Sequence, residues 1–294
     1  MGCPRALQPA ELNLPSIKSF TIIALVFLCR FAGVAAEPVP ISVAGLHNAY
    51  RVTDRIFSGS QPEGDSAFAG LARLGVKTIV SVDGAKPDVA AARKYGIRTI
   101  HLPIGYDGVS AARVAELTRA ASALPGGIYV HCHHGKHRGP AAVAVMCEAT
   151  EGWSPERALT WLRQAGTAED YPGLYQSARE FRPATKAQLE QVGELPEVAK
   201  TPALVDVMVS LDERLDALKS ASGDDRARKA TLLWEQLREL ARTGDTTARP
   251  ADYLAKLGDS EKAAAALRHS VSDTGIRTLS ESCVACHKGY RNRK

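Results

Sequence analysis

Gly127-Ile128-Tyr129-Val130-His131-Cys132-His133-His134-Gly135-Lys136-His137-Arg138-Gly139-Pro140 is the stretch on which the reading of this chain turns. A short apolar run precedes the cysteine, and Ala141-Ala142-Val143-Ala144-Val145-Met146-Cys147 follows. A strand therefore leads into a loop, and the loop into a helix. A cysteine, five residues and an arginine in that setting suit an oxyanion. The loop N–H groups can turn inward, and the start of the helix adds positive potential. The planar fork of Arg138 matches two phosphate oxygens. Cys132 at the base is the candidate nucleophile, its thiolate stabilised by the same N–H groups and charges that would bind substrate. His133, His134, Gly135, Lys136, His137 and Arg138 form the candidate phosphate-binding set.

Strand and helix patterns alternate around this loop. Residues 49–53, 56–62, 77–82 and 97–103 read as strands, and 66–74, 88–95 and 111–124 as helices. Two further helices are expected at 138–150 and 154–164, the second with Ser154 as N-cap and Pro155 at its first position. Such alternation implies an α/β domain with a mostly parallel sheet and flanking helices. The loop then sits at the carboxyl end of a strand, where ligands of such sheets bind.

His-Cys-x5-Arg after a strand resembles the signature loop of the protein-tyrosine and dual-specificity phosphatase superfamily. Tyr50-Arg51-Val52 followed by Phe57-Ser58-Gly59-Ser60-Gln61-Pro62 is similar to the opening of compact dual-specificity phosphatases. The resemblance spans roughly residues 45–170. It implies hydrolysis of phosphate monoesters through a cysteinyl-phosphate intermediate. A proton donor for the leaving oxygen should lie on a loop within reach. Asp107 follows a strand end, is flanked by Gly105 and Gly108, and occupies the place in the order of elements where the family carries its acid. Asp83, also at a strand end, is the competitor, with a turn or cap residue as its bland reading. The resemblance further implies that His131 orients the loop and supports the ionised cysteine. In one respect the chain departs from the family: Gly139 stands where many members carry Ser or Thr, whose hydroxyl helps the thiolate leave. The second chemical step is therefore in question.

Lys136 with His133, His134 and His137 makes a basic mouth, the more so below the ordinary histidine pKa of ~6.5. That suits a strongly anionic substrate; an exposed polar rim is the plainer reading. A metal cluster is the competing reading of the histidines, but a loop with inward N–H groups points its side chains outward. Cys147 lies nine residues beyond Arg138, roughly 13 Å along a helix at ~1.5 Å per residue. A disulfide to Cys132 needs Cα atoms within ~7 Å, so Cys147 reads as core.

The chain has 294 residues, 45% of them hydrophobic, and a formal charge of +5. That length allows about two domains. The mild charge, with no basic run interleaved with aromatics, points to no nucleic-acid partner. Residues 1–36 read as a signal peptide: Lys18, an apolar run from Phe20 to Leu28, then small residues to a cut after Ala36. The run falls short of the ~20 apolar residues of a membrane span, so no stable membrane insertion is expected; an uncleaved anchor is the alternative. Periplasmic export in a bacterium is the resulting expectation. Cys3 and Cys29 fall in this segment, and the six cysteines do not form a disulfide framework.

After a phosphatase-like domain at 37–172, prolines break the composition, and 173–202 reads as a linker with one short helix at 185–192. Residues 203–294 read as all-helical. Leu204, Met208, Leu211, Leu215 and Leu218 make one apolar stripe, and Ala230, Leu233, Leu237 and Leu240 a second. Residues 251–257 and 261–269 read as one broken helix or two, and 272–291 as the last. A small four-helix bundle follows. Within it, Cys283-Val284-Ala285-Cys286-His287 is the attachment pattern of c-type haem: two thiols for the vinyl groups and His287 as axial iron ligand. The helical setting resembles the cytochrome c-prime family, with haem c as the implied cofactor. Met208 is the candidate sixth ligand, with a core methionine as the alternative.

The leading function is thus an exported cysteine-dependent phosphatase with a haem domain for electron transfer, ligand sensing or redox regulation, acting on a phosphorylated protein or small anion and open to a redox partner. The alternatives are a haem electron-transfer or sensor protein whose first domain only binds phosphate, and a scaffold that recognises phosphorylated partners.

Overall fold

β-branched and aromatic residues at 76–82 and 127–131 build the buried centre of a six-stranded sheet in the computed structural model, which describes residues 1–2, 37–200 and 202–291. The signal peptide expected at 1–36 falls almost wholly outside the described residues. By their contacts, the described residues from 37 onward form one compact unit. In chain order the elements are β1 (Val39–Pro40), β2 (Tyr50–Arg51), β3 (Ile56–Gly59), α1 (Gly64–Arg73), β4 (Val76–Ser81), α2 (Val89–Lys94), β5 (Arg98–His101), α3 (Ala111–Ala123) and β6 (Gly127–His131). There follow α4 (Arg138–Thr150), α5 (Pro155–Gln164), α6 (Pro172–Arg179) and α7 (Lys186–Gln191). The remaining helices are α8 (Leu204–Ser220), α9 (Gly223–Leu240), α10 (Gly244–Thr247), α11 (Ala251–His269) and α12 (Asp273–Tyr290).

The strand order is β1-β2-β3-β6-β4-β5, parallel from β3 to β5 and antiparallel only at the β1–β2–β3 edge. Parallel register brings the carboxyl ends of β4, β5 and β6 side by side, with Ser81 opposite both His101 and His131. This alignment delivers Asp83, His101 and Cys132 to one end of the sheet. One core lies between the sheet and α3, α4, α5 and α6, built around Val80, Ile100, Leu117, Ile128, Val145 and Trp161. A second, on the opposite face, gathers Phe57, Phe68, Leu71, Ile79 and Tyr129.

The segment expected as a linker at 173–202 is packed on the first core at several points. α6 buries Leu174, Tyr175 and Ala178, α7 packs on α3, and Leu195 is in the core. The N–H of His101 donates to the Pro196 carbonyl at 2.8 Å. Pro172 reads as a breaker in sequence, but it sits at the first turn of α6, where its missing N–H costs nothing.

Beyond it, α9 packs on α8 and α11, and α11 on α12. Leu211, Leu215, Leu233, Leu237, Leu257 and Leu279 close a third core. α11 is one continuous helix through Gly258 rather than a broken one. Packing against α9 and α12 outweighs the ~1 kcal/mol helix cost of a glycine. Among the described residues no helix is long and apolar enough to cross a membrane.

If 173–200 belongs to the core, Leu174→Ala should lower unfolding stability by about 2–4 kcal/mol. Denaturant titration would read this, whereas a residue in an exposed linker would stay within about 0.5 kcal/mol.

Candidate active site

The loop between β6 and α4 is shaped by what its carbonyls do. The carbonyl of His131 accepts from the Val82 N–H at 2.8 Å, and that of His133 from the Gln61 N–H at 3.1 Å. The Gly135 carbonyl accepts from Asn48 Nδ2 at 2.9 Å, and the Lys136 carbonyl from Thr167 Oγ1 at 2.7 Å. Asn48 also donates to the Ala165 carbonyl at 2.8 Å, tying the loop to the end of α5. With the carbonyls fastened outward, the N–H groups of His133 to His137 make no hydrogen bond to an acceptor among the described residues. That is the donor arrangement an oxyanion requires. Gly135 makes the turn possible: its φ is 69°, and a Cβ would stand 2.3 Å from the Gly59 carbonyl carbon.

Cys132 is 4% exposed at the base of the loop, and Arg138, 1% exposed, opens α4 above it. Arg138 Nη2 donates to Asp83 Oδ1 at 2.8 Å, and its Nη1 to the Ile104 carbonyl at 3.5 Å. The Tyr106 ring covers the guanidinium with its centroid 4.3 Å from Cζ. Nε has no partner among the described residues. Burial works against the charge on Arg138, and the carboxylates of Glu239 and Asp83 more than restore it.

Asp83 is a fixed counterion. It accepts from Arg138, from Arg242 at 2.6 and 2.8 Å, and from the Gly84 N–H at 2.9 Å. Burial alone would raise its pKa, but the Arg242 hydrogen bonds and the Arg138 charge hold it well below the carboxylate range. A group held ionised in this way is no proton donor. His101 fixes the strand end beneath it. Its Nδ1 accepts from the Ala199 N–H at 3.2 Å, so its Nε2 carries the proton donated to the Asp83 carbonyl at 2.8 Å.

Among the described residues no hydrogen bond or ion pair joins the Asp107 carboxylate to residues 131–138. This exposed carboxylate lies in a cleft of about 570 Å³ whose lining includes Arg113, Gln176 and Ser177 but none of residues 131–138. The Asp107 loop also packs against α6. The Val109 N–H donates to Ser177 Oγ at 2.9 Å, and α6 meets Asp107 so closely that a Cβ on Gly173 would stand 2.1 Å from its carbonyl oxygen. The neighbouring Tyr106 is the residue that reaches Arg138.

The histidines also depart from expectation. Burial, with the charge of Asp83 opposing it, leaves His131 at about 4. Burial with the Arg242 charge lowers His133 to about 4, and burial with the Arg138 charge does the same to His137. His134 is shifted in the same direction by burial and Arg238. These rings are neutral near pH 7, so the mouth does not gain charge just below neutrality, and any support His131 gives Cys132 comes from a neutral imidazole.

Residues that the sequence reading passed over complete the site. The Tyr171 ring lies 4.5 Å from His137 and 5.0 Å from Tyr106, and its hydroxyl donates to Glu235 at 2.5 Å. Arg238 bonds His134 at 2.8 Å, Glu239 pairs with Arg138, and Arg242 with Asp83. All four partners come from α9 or the turn after it. Cys147 is fully buried in the first core.

In the helical region, Cys283, Cys286 and His287 on α12 line a small cavity of about 40 Å³ with Met208, Leu211, Leu233 and Leu237. Met208, Cys286 and His287 also line an adjoining cleft of about 320 Å³. Burial raises both thiols. Among the described residues no group of three or more His, Cys, Asp or Glu converges as a bare metal site.

Over 125 residues the chain is 30% identical to the dual specificity protein phosphatase TpbA of Pseudomonas aeruginosa, a match covering 42% of this chain and 56% of that one. Over 198 residues it is 24% identical to the beta-lactamase hydrolase-like protein of Xylella fastidiosa, covering 59% and 43% respectively. The chain thus spans about half the length of the curated relatives it matches. The crystal structure of P. aeruginosa TpbA aligns at 26% identity and a TM-score of 0.43, over 51% of this chain and 92% of that one. No family profile matches the chain.

Histidines near 4 when folded and ~6.5 when unfolded set a sign. Between those values the unfolded chain binds protons that the folded one refuses, so stability falls as pH drops from about 6.5 to about 4. Glu148, raised to about 8 by burial, works in the opposite sense above about 4.5. Melting temperatures of native protein and His137→Asn across this window should show a shallower acid loss in the variant; equal slopes would contradict the assignment.

Proposed function

We propose that the chain is a cysteine-dependent phosphatase acting on phosphate monoesters. The observation that carries this reading is the loop around Cys132 with five N–H groups, and the Nε of Arg138 at its edge, that find no partner among the described residues. Similarity to a dual specificity protein phosphatase supports it. Cys132 Sγ attacks phosphorus, and an S–P bond forms as the ester P–O bond breaks. The leaving oxygen takes a proton. Water then attacks the phosphocysteine, the S–P bond breaks, and inorganic phosphate leaves with the thiolate restored. Asp107 is our candidate for giving that proton and later taking one from water, and it would have to leave the adjoining cleft to do so. Gly139 favours a second reading, a phosphate-binding module with slow turnover. A Cβ there would lie 3.5 Å from Cys132 Sγ, so a serine at this position would set its hydroxyl beside the leaving sulfur.

Vanadate-sensitive hydrolysis of para-nitrophenyl phosphate should drop at least about a thousandfold in Cys132→Ser. Gly139→Ser should raise the steady-state rate relative to the initial burst. Asp107→Asn should slow alkyl esters more than aryl ones. Undiminished hydrolysis by Cys132→Ser would sink the proposal.

We further propose that the helical region holds a c-type haem and that the chain is exported to the periplasm. Two thiols at helical spacing, with His287 and Met208, on one small leucine-lined cavity that adjoins a larger cleft support the first; the leader-like pattern of 1–36 supports the second. Cys283 and Cys286 would hold the porphyrin, His287 and Met208 would face the iron, and the leucines would exclude water. The group would supply a centre for one-electron or ligand-binding chemistry. Intact-mass spectrometry of envelope protein should find residues 37–294 plus one haem, and Met208→Ala should lose a low-spin spectrum. An uncleaved Met1, or a mass without haem after maturation, would refute the respective claim.

A further inference from the structure

Helix α9 turns two faces to two neighbours. Leu233, Leu237 and Leu240 enter the bundle core. Glu235, Arg238, Glu239 and Arg242 recur at the spacing of one helical face, and each bonds a residue at the mouth of the phosphate loop: Tyr171, His134, Arg138 and Asp83 respectively. The central contact is the carboxylate of Glu239 on the guanidinium of Arg138. In this conformation two guanidinium groups, Arg138 and Arg242, face two carboxylates, Asp83 and Glu239. The positive charge that a dianionic ester would need at Arg138 is already neutralised.

The two carboxylates are not equivalent. The Asp83 side chain is 2% exposed and bonded by two arginines; that of Glu239 is 29% exposed and stands on a helix from another core. The contact is also that of an anion rather than a proton donor, since a guanidinium can only donate. Among the described residues no apolar cluster joins the two regions: the bundle core and the sheet core are separate, and the bonds between them are ionic and polar. Interfaces of that kind are the ones that open.

We infer that α9 is a built-in, substrate-competitive lid, with the Glu239 carboxylate standing on Arg138 where the substrate's phosphate would stand, so that hydrolysis requires α9 to lift. The inference rests on the phosphatase reading of the loop.

The test uses the full chain as native protein, Glu239→Gln and Tyr171→Phe. The last keeps the ring against His137 and removes only the hydroxyl that holds Glu235. The readouts are hydrolysis of para-nitrophenyl phosphate and calorimetric binding of orthovanadate. If the loop is open in about a tenth of native molecules, Glu239→Gln should raise kcat/KM about tenfold, chiefly through KM, and tighten vanadate binding by a similar factor. Tyr171→Phe should move both in the same direction by less, and it carries the test if Glu239→Gln fails to fold. Unchanged KM and vanadate affinity in both variants would overturn the lid. So would a fall in kcat with loss of the basic limb of the pH–rate profile, which would make Glu239 an acid. If none of the proteins hydrolyses the ester, the phosphatase reading fails, and vanadate affinity alone still decides the lid: tighter in the variants supports it, unchanged refutes it.

Discussion

A guanidinium with 1% exposure has to be met by charge, and the arrangement around Arg138 follows from that requirement. Leaving such an ion unmatched costs several kcal/mol even after relaxation. Asp83 meets it from the end of β4, His101 holds the Asp83 main chain from the end of β5, and Ile104 adds a carbonyl. β6 delivers Cys132 to the same end. Three parallel strands ending together make this convergence possible, and the outward-bonded carbonyls of His131, His133, Gly135 and Lys136 turn the loop's donors inward.

The helical region is fastened to the same charges. Arg242 shares Asp83 with Arg138, and Glu239 shares Arg138 with Asp83, so the ion network crosses from one region to the other. α9 also lines the cavity that carries Cys283, Cys286 and His287. Leu237 faces that cavity and Glu239, two residues on, faces the phosphate loop. One rigid helix therefore touches both candidate centres, which is the physical connection through which the state of one would bear on the other. Whether it carries a coupling free energy is a matter for measurement on both sites together.

Much of the site was legible because its chemistry is local in sequence. Strand, cysteine, arginine and helix follow one another without interruption, and α4 starts at Arg138 and ends at Thr150 as the pattern predicts. Ser154 and Thr185 cap their helices as their residue types suggest. The rest was not local. α6 is eight residues long and opens on a proline, too short for periodicity to announce it. The histidines carry no sign in sequence that burial and neighbouring arginines would keep them neutral. Nothing local at Gly105 and Gly108 shows that Ser177 and Gly173, some seventy residues away, pack against their loop.

Sequence alone determined the alternation of strands and helices, the phosphate loop, the two leucine stripes of the bundle and the Cys-x-x-Cys-His pattern, since each is a matter of spacing along one element. Only the tertiary structure decided that Asp83 is a counterion, that Asp107 lies in the neighbouring cleft, and that the polar stripe of Glu235, Arg238, Glu239 and Arg242 meets the loop rather than solvent. The physical reason is the same in each case. Helical spacing states which side chains share a face, but the partner of that face is chosen by charges more than a hundred residues distant in the chain, brought close only when both cores are packed.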